Sequence, residues 1–218
     1  QGVCMDFSLT DDQELIRAAV AKVCADYPDE YWAERDQNHD FPWDFYNAMA
    51  NAGWIGTAIP EAYGGSGMGI TEASLVLEEV AASGAAMNGA TPLHLSKFGM
   101  DPVVKYGSEE MKQMYLPRVA AGEMHVAFGV TEPDAGTDTT SITTAAKREG
   151  DYYIVKWRKV WTTKALQSER VLLLVRTTPR DKVERRTDGM TLLLAELQRD
   201  EVTISPIDKV GRYAVATC

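Results

Sequence analysis

No apolar run in the chain approaches the roughly 18 residues needed to span a bilayer, and the start Gln1-Gly2-Val3-Cys4-Met5 lacks the basic-then-apolar layout of a secretory signal. Both absences predict a soluble, globular protein; the four residues ahead of Met5 read as an expression remnant. Cysteine is scarce. Cys4, Cys24 and Cys218 are odd in number and show neither close pairing nor metal-type spacing, so a reducing, cytoplasmic compartment is the simplest expectation. The three histidines, His39, His94 and His125, are scattered, which supports neither a metal site nor a Cys-His couple. A basic footprint is also missing: the net charge of −10 argues against a nucleic-acid partner.

What is present is enough apolar material, 45% of 218 residues, for a substantial core and one or two domains. The charge is divided unevenly. Residues 1–123 hold 7 Lys+Arg against 19 Asp+Glu, net −12, whereas residues 124–218 hold 15 against 13, net +2. The second half is therefore the one suited to anions, although a solvated basic loop would give the same count.

Helical signals fill the first half. Thr10 with Gln13 three residues on forms a capping box ahead of Leu15, Ile16, Ala19, Val20 and Val23. A second helix is expected from Pro42 through Phe45, Met49 and Ala52, stopping at Gly53. Residues 53–67 carry too many Gly and Pro residues for a regular element and read as a packed loop. Thr71 to Ala82 reads as another helix, broken at Ser83-Gly84, and the small residues of 85–99 suit a closely packed buried helix. Ser108 caps a short helix over Glu109 to Leu116, limited by Pro117.

From Met124 the pattern changes to short β-rich runs at 124–131, 141–147, 152–157, 159–163, 170–177, 190–195 and 202–205. Helices first and strands second is an α+β arrangement. It predicts an all-α bundle over residues 5–122 and an antiparallel β-domain over 123–218, with the boundary near Gly122.

Two stretches of the second half carry chemical information. Phe128 to Thr140 begins as a strand and breaks at Pro133 and Gly136 into a turn of small, hydroxylic residues. Its exposed amides, with Thr137 and Thr139 beside them, can cradle an anion, and Val130 and Thr131 offer strand-end backbone to a flat heterocycle. An ordinary surface turn has the same composition. Lys159-Val160-Trp161-Thr162-Thr163 sets an indole and a hydroxyl at alternate positions, which on a strand share one face; plain strand propensity also favours Trp and Thr.

Together these segments resemble the acyl-CoA dehydrogenase family of flavoproteins, whose middle domain carries V-T-E-x-x-A-G-S/T-D and then W-x-T. Gly53 to Gly67 is similar to the family's G-x-x-G-x-x-x-P-E-x-Y-G-G-x-G, and the resemblance runs along the whole chain from Met5. It implies a barrel-like middle domain, FAD as cofactor and α,β-dehydrogenation of an acyl-CoA thioester. A carboxylate takes the α-proton and the β-hydrogen passes as hydride to the flavin. Residue by residue, Phe128, Val130 and Thr131 would contact the isoalloxazine, Trp161 would cover it and Thr163 would bond N5. Gly136 would belong to the cofactor site and Thr137 would face pyrophosphate or the CoA side, with Met87, Ala90 and Thr91 at the acyl chain.

The family's catalytic glutamate lies in a four-helix C-terminal domain, so no catalytic residue is named here and no metal is expected. The chain stops at Ala216-Thr217-Cys218, inside the middle domain, and is expected to be incomplete, poorly stable alone and weak in FAD binding. The resemblance further implies electron-transferring flavoprotein as acceptor, a homotetramer, and a bacterial cytoplasm in preference to the mitochondrial matrix. Two other readings share the motifs: a flavin oxidase or monooxygenase, such as one resembling nitroalkane oxidase, and a truncated non-catalytic paralogue serving as an interaction module. One departure is local. The family usually has an Asn-Gly type of hairpin turn before its K-x-W motif, where this chain has Lys156-Trp157-Arg158, residues that resist positive φ.

Overall fold

The structure, a computed structural model, describes residues 7–218. Residues 1–4, Cys4 among them, lie outside the described residues; Cys24 and Cys218 are free thiols. Six helices come first: α1 Asp11–Cys24, α2 Asp29–Asn38, α3 Trp43–Asn51, α4 Ile70–Val80, α5 Ala86–Tyr106 and α6 Glu109–Ala120. The box at the start of α1 forms as read, with the Gln13 amide donating to Thr10 Oγ1 and the Thr10 amide to Gln13 Oε1. Ile16, Val20 and Cys24 then face Val76 and Val80 of α4 across one apolar core. α3 contributes Phe45, Tyr46 and Met49, all fully buried, each stabilising the fold by roughly 1.5–3 kcal/mol through the area it removes from water.

Helix α2 escapes sequence reading because its only buried side chain is Trp32, on an otherwise polar ten-residue segment. That single indole nevertheless packs edge-on to Phe45, centroids 4.9 Å apart. The break at Ser83-Gly84 is real: residues 81–85 form a widened turn in which Gly84 has φ 94°, and Ala86 follows with φ 46°. Helix α6, in contrast, continues through Pro117 to Ala120. Proline forfeits one N–H bond there, but Leu116, Val119 and Ala120 are all buried, and their packing offsets it.

Residues 53–67 are irregular, as their glycines predict. At Gly65 the backbone passes so near Ile59 that a Cβ would lie 2.0 Å from its carbonyl oxygen, so only glycine fits.

The second half holds a five-stranded sheet: β1 Val126–Gly129, β2 Ala145–Glu149, β3 Tyr152–Lys156, β4 Arg170–Arg176 and β5 Met190–Glu196. It is mixed and open, which corrects the antiparallel, barrel-like expectation. β4 pairs in parallel with β1 and antiparallel with β5, and meets β2 in parallel at Ala145–Arg176 alone. The β2–β3 hairpin lies within the crossover from β1 to β4, and such a crossover is what permits a parallel pair. Central placement explains the unbroken Val171-Leu172-Leu173-Leu174-Val175 run, since a strand covered on both faces need not alternate. No strand forms at 202–205. α5 lies against β1, where Met100 and Val103 join Val126 in a second core, and so the helical half is seated on the strand that leads into the candidate site.

Candidate functional site

Strand β1 ends at Gly129, and the following loop is fixed by a carboxylate. Glu132 sits at the start of a tight turn closed by reciprocal amide bonds with Ala135, each 3.1 Å. Its Oε2 accepts from the Thr143 amide (2.7 Å) and Thr143 Oγ1 (2.8 Å), and Oε1 accepts from the Thr144 amide (3.0 Å) and Lys159 Nζ (2.9 Å). Lys159 Nζ also donates to the Val130 carbonyl at 2.9 Å. Both side chains of this ion pair are nearly sealed from solvent, 3% and 6% exposed. Burial by itself would raise the Glu132 carboxyl, but the bonds from Thr144, Lys159 and Thr143 overrule it and hold the group at about 2. Burial lowers Lys159, with Glu132 opposing. Glu132 is therefore a structural anion, unsuited to accept a proton from a substrate.

Lys159 ties the second segment to the first, and a backbone bond completes the joint: the Val160 amide donates to the Thr131 carbonyl at 2.9 Å. The 159–163 stretch is not a regular strand, contrary to expectation. Trp161 has φ 63° and Lys164 φ 64°, and this left-handed pair flanks Thr162-Thr163 and breaks the two-residue alternation. The segment is instead held by residues 216–218: the Thr162 amide donates to Cys218 O, the Cys218 amide to Thr162 O and the Lys164 amide to Ala216 O. Upstream, the hairpin turn lies at Gly150-Asp151, with Gly150 at φ 63°, and Trp157-Arg158 runs on at negative φ. Lys156-Trp157-Arg158 therefore never has to make the turn for which it is chemically unsuited.

The sequence-derived cofactor residues of the two motifs lie on adjoining segments, joined at Thr131 and Val160. Phe128, Val130, Thr131 and Thr163 are half-buried around the joint, while Trp161 presents its indole outward, 59% exposed. Gly136 and Thr137 are exposed beyond the turn. Among the described residues the amides of Gly136, Thr137 and Asp138 donate to no protein acceptor, so they are available to an anion. These features fit a flavin nucleotide: an apolar and hydroxylic ledge for a ring system, then free amides for phosphate. The substrate residues are scattered instead. Met87 is exposed, whereas Ala90 and Thr91 are buried in α5, Thr91 Oγ1 without a hydrogen-bond partner. The exposed side of α5 beside Phe128 is formed by His94 and Phe98, ring-stacked at 5.3 Å, with Phe98 edge-on to Phe128 at 4.9 Å. Their i, i+4 spacing was the readable signal.

A cavity of about 670 Å³ is lined by residues 140–143 together with Lys147, Arg148, Arg176, Arg180 and Arg186, with no acidic residue in its lining. Arg176 is buried and its guanidinium donates to the carbonyls of Thr140, Ile142, Arg186 and Asp188. Arg186 pairs with Asp138, whose carboxyl is lowered by its bond from Thr140 and then by Arg186. No group of His, Cys, Asp and Glu able to hold a metal occurs among the described residues. No helix among them is long and apolar enough to cross a membrane.

Comparison with known proteins gives a consistent result. Residues 10–123 match the description "Acyl-CoA dehydrogenase, N-terminal domain" and residues 127–218 "Acyl-CoA dehydrogenase, middle domain". The chain is 34% identical over 171 residues to acyl-CoA dehydrogenase FadE12 of Mycobacterium tuberculosis, covering 78% of this chain and 44% of the relative. It is 31% identical over 222 residues to glutaryl-CoA dehydrogenase of Desulfococcus multivorans, covering 98% and 54%. Among solved structures, the complex of glutaryl-coenzyme A dehydrogenase with glutaryl-CoA superimposes with a TM-score of 0.89 at 28% identity, over 98% of this chain and 55% of that one. A glutaryl-CoA dehydrogenase from Mycobacterium smegmatis, in complex with FADH2, gives 0.83 at 25% identity, over 96% and 52%. The chain spans about half the length of the curated relatives it matches. Two adjoining family domains, met in the same order as the helical and sheet halves, show that the chain belongs to the acyl-CoA dehydrogenase family.

Proposed function

We propose that this chain forms the flavin-binding and part of the acyl-CoA-binding portion of an FAD-dependent enzyme that introduces a double bond between the α and β carbons of an acyl-CoA thioester. The observation that supports this reading is the Thr131–Val160 joint, a 2.9 Å backbone bond that sets the segment of Phe128, Val130 and Thr131 beside the segment of Trp161 and Thr163. FAD, when bound, supplies the hydride-accepting chemistry. The protein's part is orientation: Trp161 offers stacking area, Thr163 a hydroxyl, and the amides of Gly136 and Thr137 a cradle for pyrophosphate. The basic cavity lined by Thr140 to Thr143 and the arginines suits the phosphates of a CoA carrier.

In this reading the proton-accepting carboxylate comes from residues beyond this chain. Electron-transferring flavoprotein is the electron acceptor, and the working form is a cytoplasmic homotetramer. The test is anaerobic addition of acyl-CoA thioesters to the flavin-loaded full-length protein that contains this chain. Bleaching of the flavin absorbance with formation of the enoyl product supports the reading. A protein that takes up no flavin refutes it, and rapid oxygen consumption by the reduced form in the presence of product favours the oxidase instead.

A further inference from the structure

Lys164 follows the flavin-facing Thr163 and is 0% exposed. Its Nζ reaches helix α5, donating to the Pro92 carbonyl and to Ser96 Oγ, both at 3.1 Å, and lies 5.6 Å from the centre of the Tyr46 ring. Tyr46 Oη and Ser96 Oγ are themselves 3.1 Å apart. These partners are all neutral. A buried ammonium without a counter-charge is costly, and a lysine at φ 64° adds backbone strain that asparagine or glycine would avoid. Methionine would fill the same volume without the desolvation cost. Neither packing nor backbone preference therefore accounts for a lysine here.

Its placement does. The side chain bridges the 162–164 segment, which carries Thr163, to the part of α5 that bears His94 and Phe98 beside Phe128. We propose that Lys164 is a positioning residue: it ties the backbone segment that carries Thr163 to α5 and sets a single positive charge beside that segment that favours the reduced, more negative state of the cofactor. This inference rests on the flavin reading given above.

The groups facing Lys164 are few. From α3 comes Tyr46, raised to about 12 by burial; from α5 come Ser96 and His94; and His125 approaches from the residue before β1, its ring 4.4 Å from that of Tyr46 and its Nδ1 unpartnered. Burial first, and Lys164 second, lower His125 to about 3 and lower His94 as well. Burial brings Lys164 itself down to about 7. Lys97, adjacent to Ser96 and bonded to the Trp54 carbonyl, is likewise at about 7 and serves as the control.

The test uses Lys164→Met, which keeps the stem, and Lys164→Asn, which suits the left-handed backbone and so still folds if the first does not. In the flavin-free protein, hydrogen exchange at the Thr162, Lys164 and Cys218 amides should accelerate at least tenfold in either variant. In the flavin-loaded protein, the midpoint potential should fall below the wild-type value near neutral pH. It should also lose a pH-dependent step near pH 7 that Lys97→Met retains. A tenfold loss of preference for the reduced flavin corresponds to about 30 mV for a two-electron couple. Unchanged exchange overturns the proposal, and so does faster exchange with an unmoved potential, which would leave Lys164 a structural tether only. A protein that takes up no flavin refutes the underlying functional reading instead, so the two failures are distinguishable.

Discussion

The helical and sheet halves are held together by different physics. In the first, the core is apolar and aromatic, with Phe45, Tyr46, Met49 and Leu93 fully buried; ion pairs such as Lys105–Asp101 stay on the surface, and Lys97, on the Trp54 carbonyl, is the inward exception. In the second, charges go inside: Glu132 with Lys159, Arg176 against four carbonyls, and Lys164 against Pro92 and Ser96. The reason is backbone accounting. A helix satisfies its own amides and carbonyls, whereas a loop that must hold one shape beside a ligand leaves them open, and ionised side chains with several donors or acceptors close them. Rigidity of the site is thus bought with buried charge, and the apolar half supplies the platform.

The largest effects should come from attacking each half in its own terms. Phe45→Ala removes a fully buried ring and should cost about 3–5 kcal/mol by denaturant unfolding. Glu132→Ala should cost about as much, because Lys159 is left buried and unpaired. Rescue separates the two. Phe45→Leu should recover most of the first loss through volume, whereas Glu132→Ala should be partly rescued by adding Lys159→Met and not by a larger apolar residue at 132. Rescue by volume at both sites would break the comparison.

Acid should then discriminate between the halves. The folded pKa of Glu132, about 2, lies below its ordinary 4.5. Its stabilising contribution is therefore fully present above about 4.5 and lost as pH falls toward 2. At about 1.4 kcal/mol per unit this is roughly 3 kcal/mol. Hydrogen exchange between pH 5 and 2.5 should show the amides of Thr143 and Thr144 opening before those of α1 and α4. Simultaneous opening of both halves would show that the buried pair does not govern the loop.

Much of this division was legible in the residues, and the failures have physical causes. The Thr10–Gln13 cap, the kink after Ser83-Gly84 and the apolar run of β4 announce themselves through local chemistry. Strand pairing direction does not, since β1 and β4 meet across about forty intervening residues, and composition says nothing of that crossover. In the site, the two motifs read together do lie side by side, joined at Thr131 and Val160, yet the alternation inferred for 161 and 163 fails at two left-handed residues. The structural partners Glu132 and Lys159 lie within the very motifs read, but their roles depend on a contact at 27 residues' separation. Which face of α5 stays open beside β1, the one bearing His94 and Phe98, is a tertiary fact that spacing alone does not give.

A smaller effect is expected at the exposed ring. Trp161→Ala should leave stability within about 0.5 kcal/mol, since the indole is 59% exposed, while weakening flavin retention by the lost stacking. Equilibrium dialysis against FAD measures this directly. Unfolding of the variant would show that the indole serves the fold and not a ligand.

The smallest change is the most specific. Thr163 Oγ1 has only a long contact, 3.4 Å, with Thr217 Oγ1, so its hydroxyl is nearly unused by the fold and Thr163→Ala should alter stability little. Were the hydroxyl to bond the flavin, one neutral hydrogen bond of about 0.5–1.5 kcal/mol would be lost, spread unequally between oxidised and reduced cofactor. FAD content should therefore stay near wild type while the midpoint potential moves, the reverse of the pattern at Trp161. Thr163→Ser keeps the oxygen and should restore the potential, which separates loss of the bond from loss of the methyl group. If alanine and serine behave alike, or if neither moves the potential, Thr163 belongs with the scaffold, and the chemical edge of the site lies elsewhere on the ledge formed by Val130, Thr131 and Trp161.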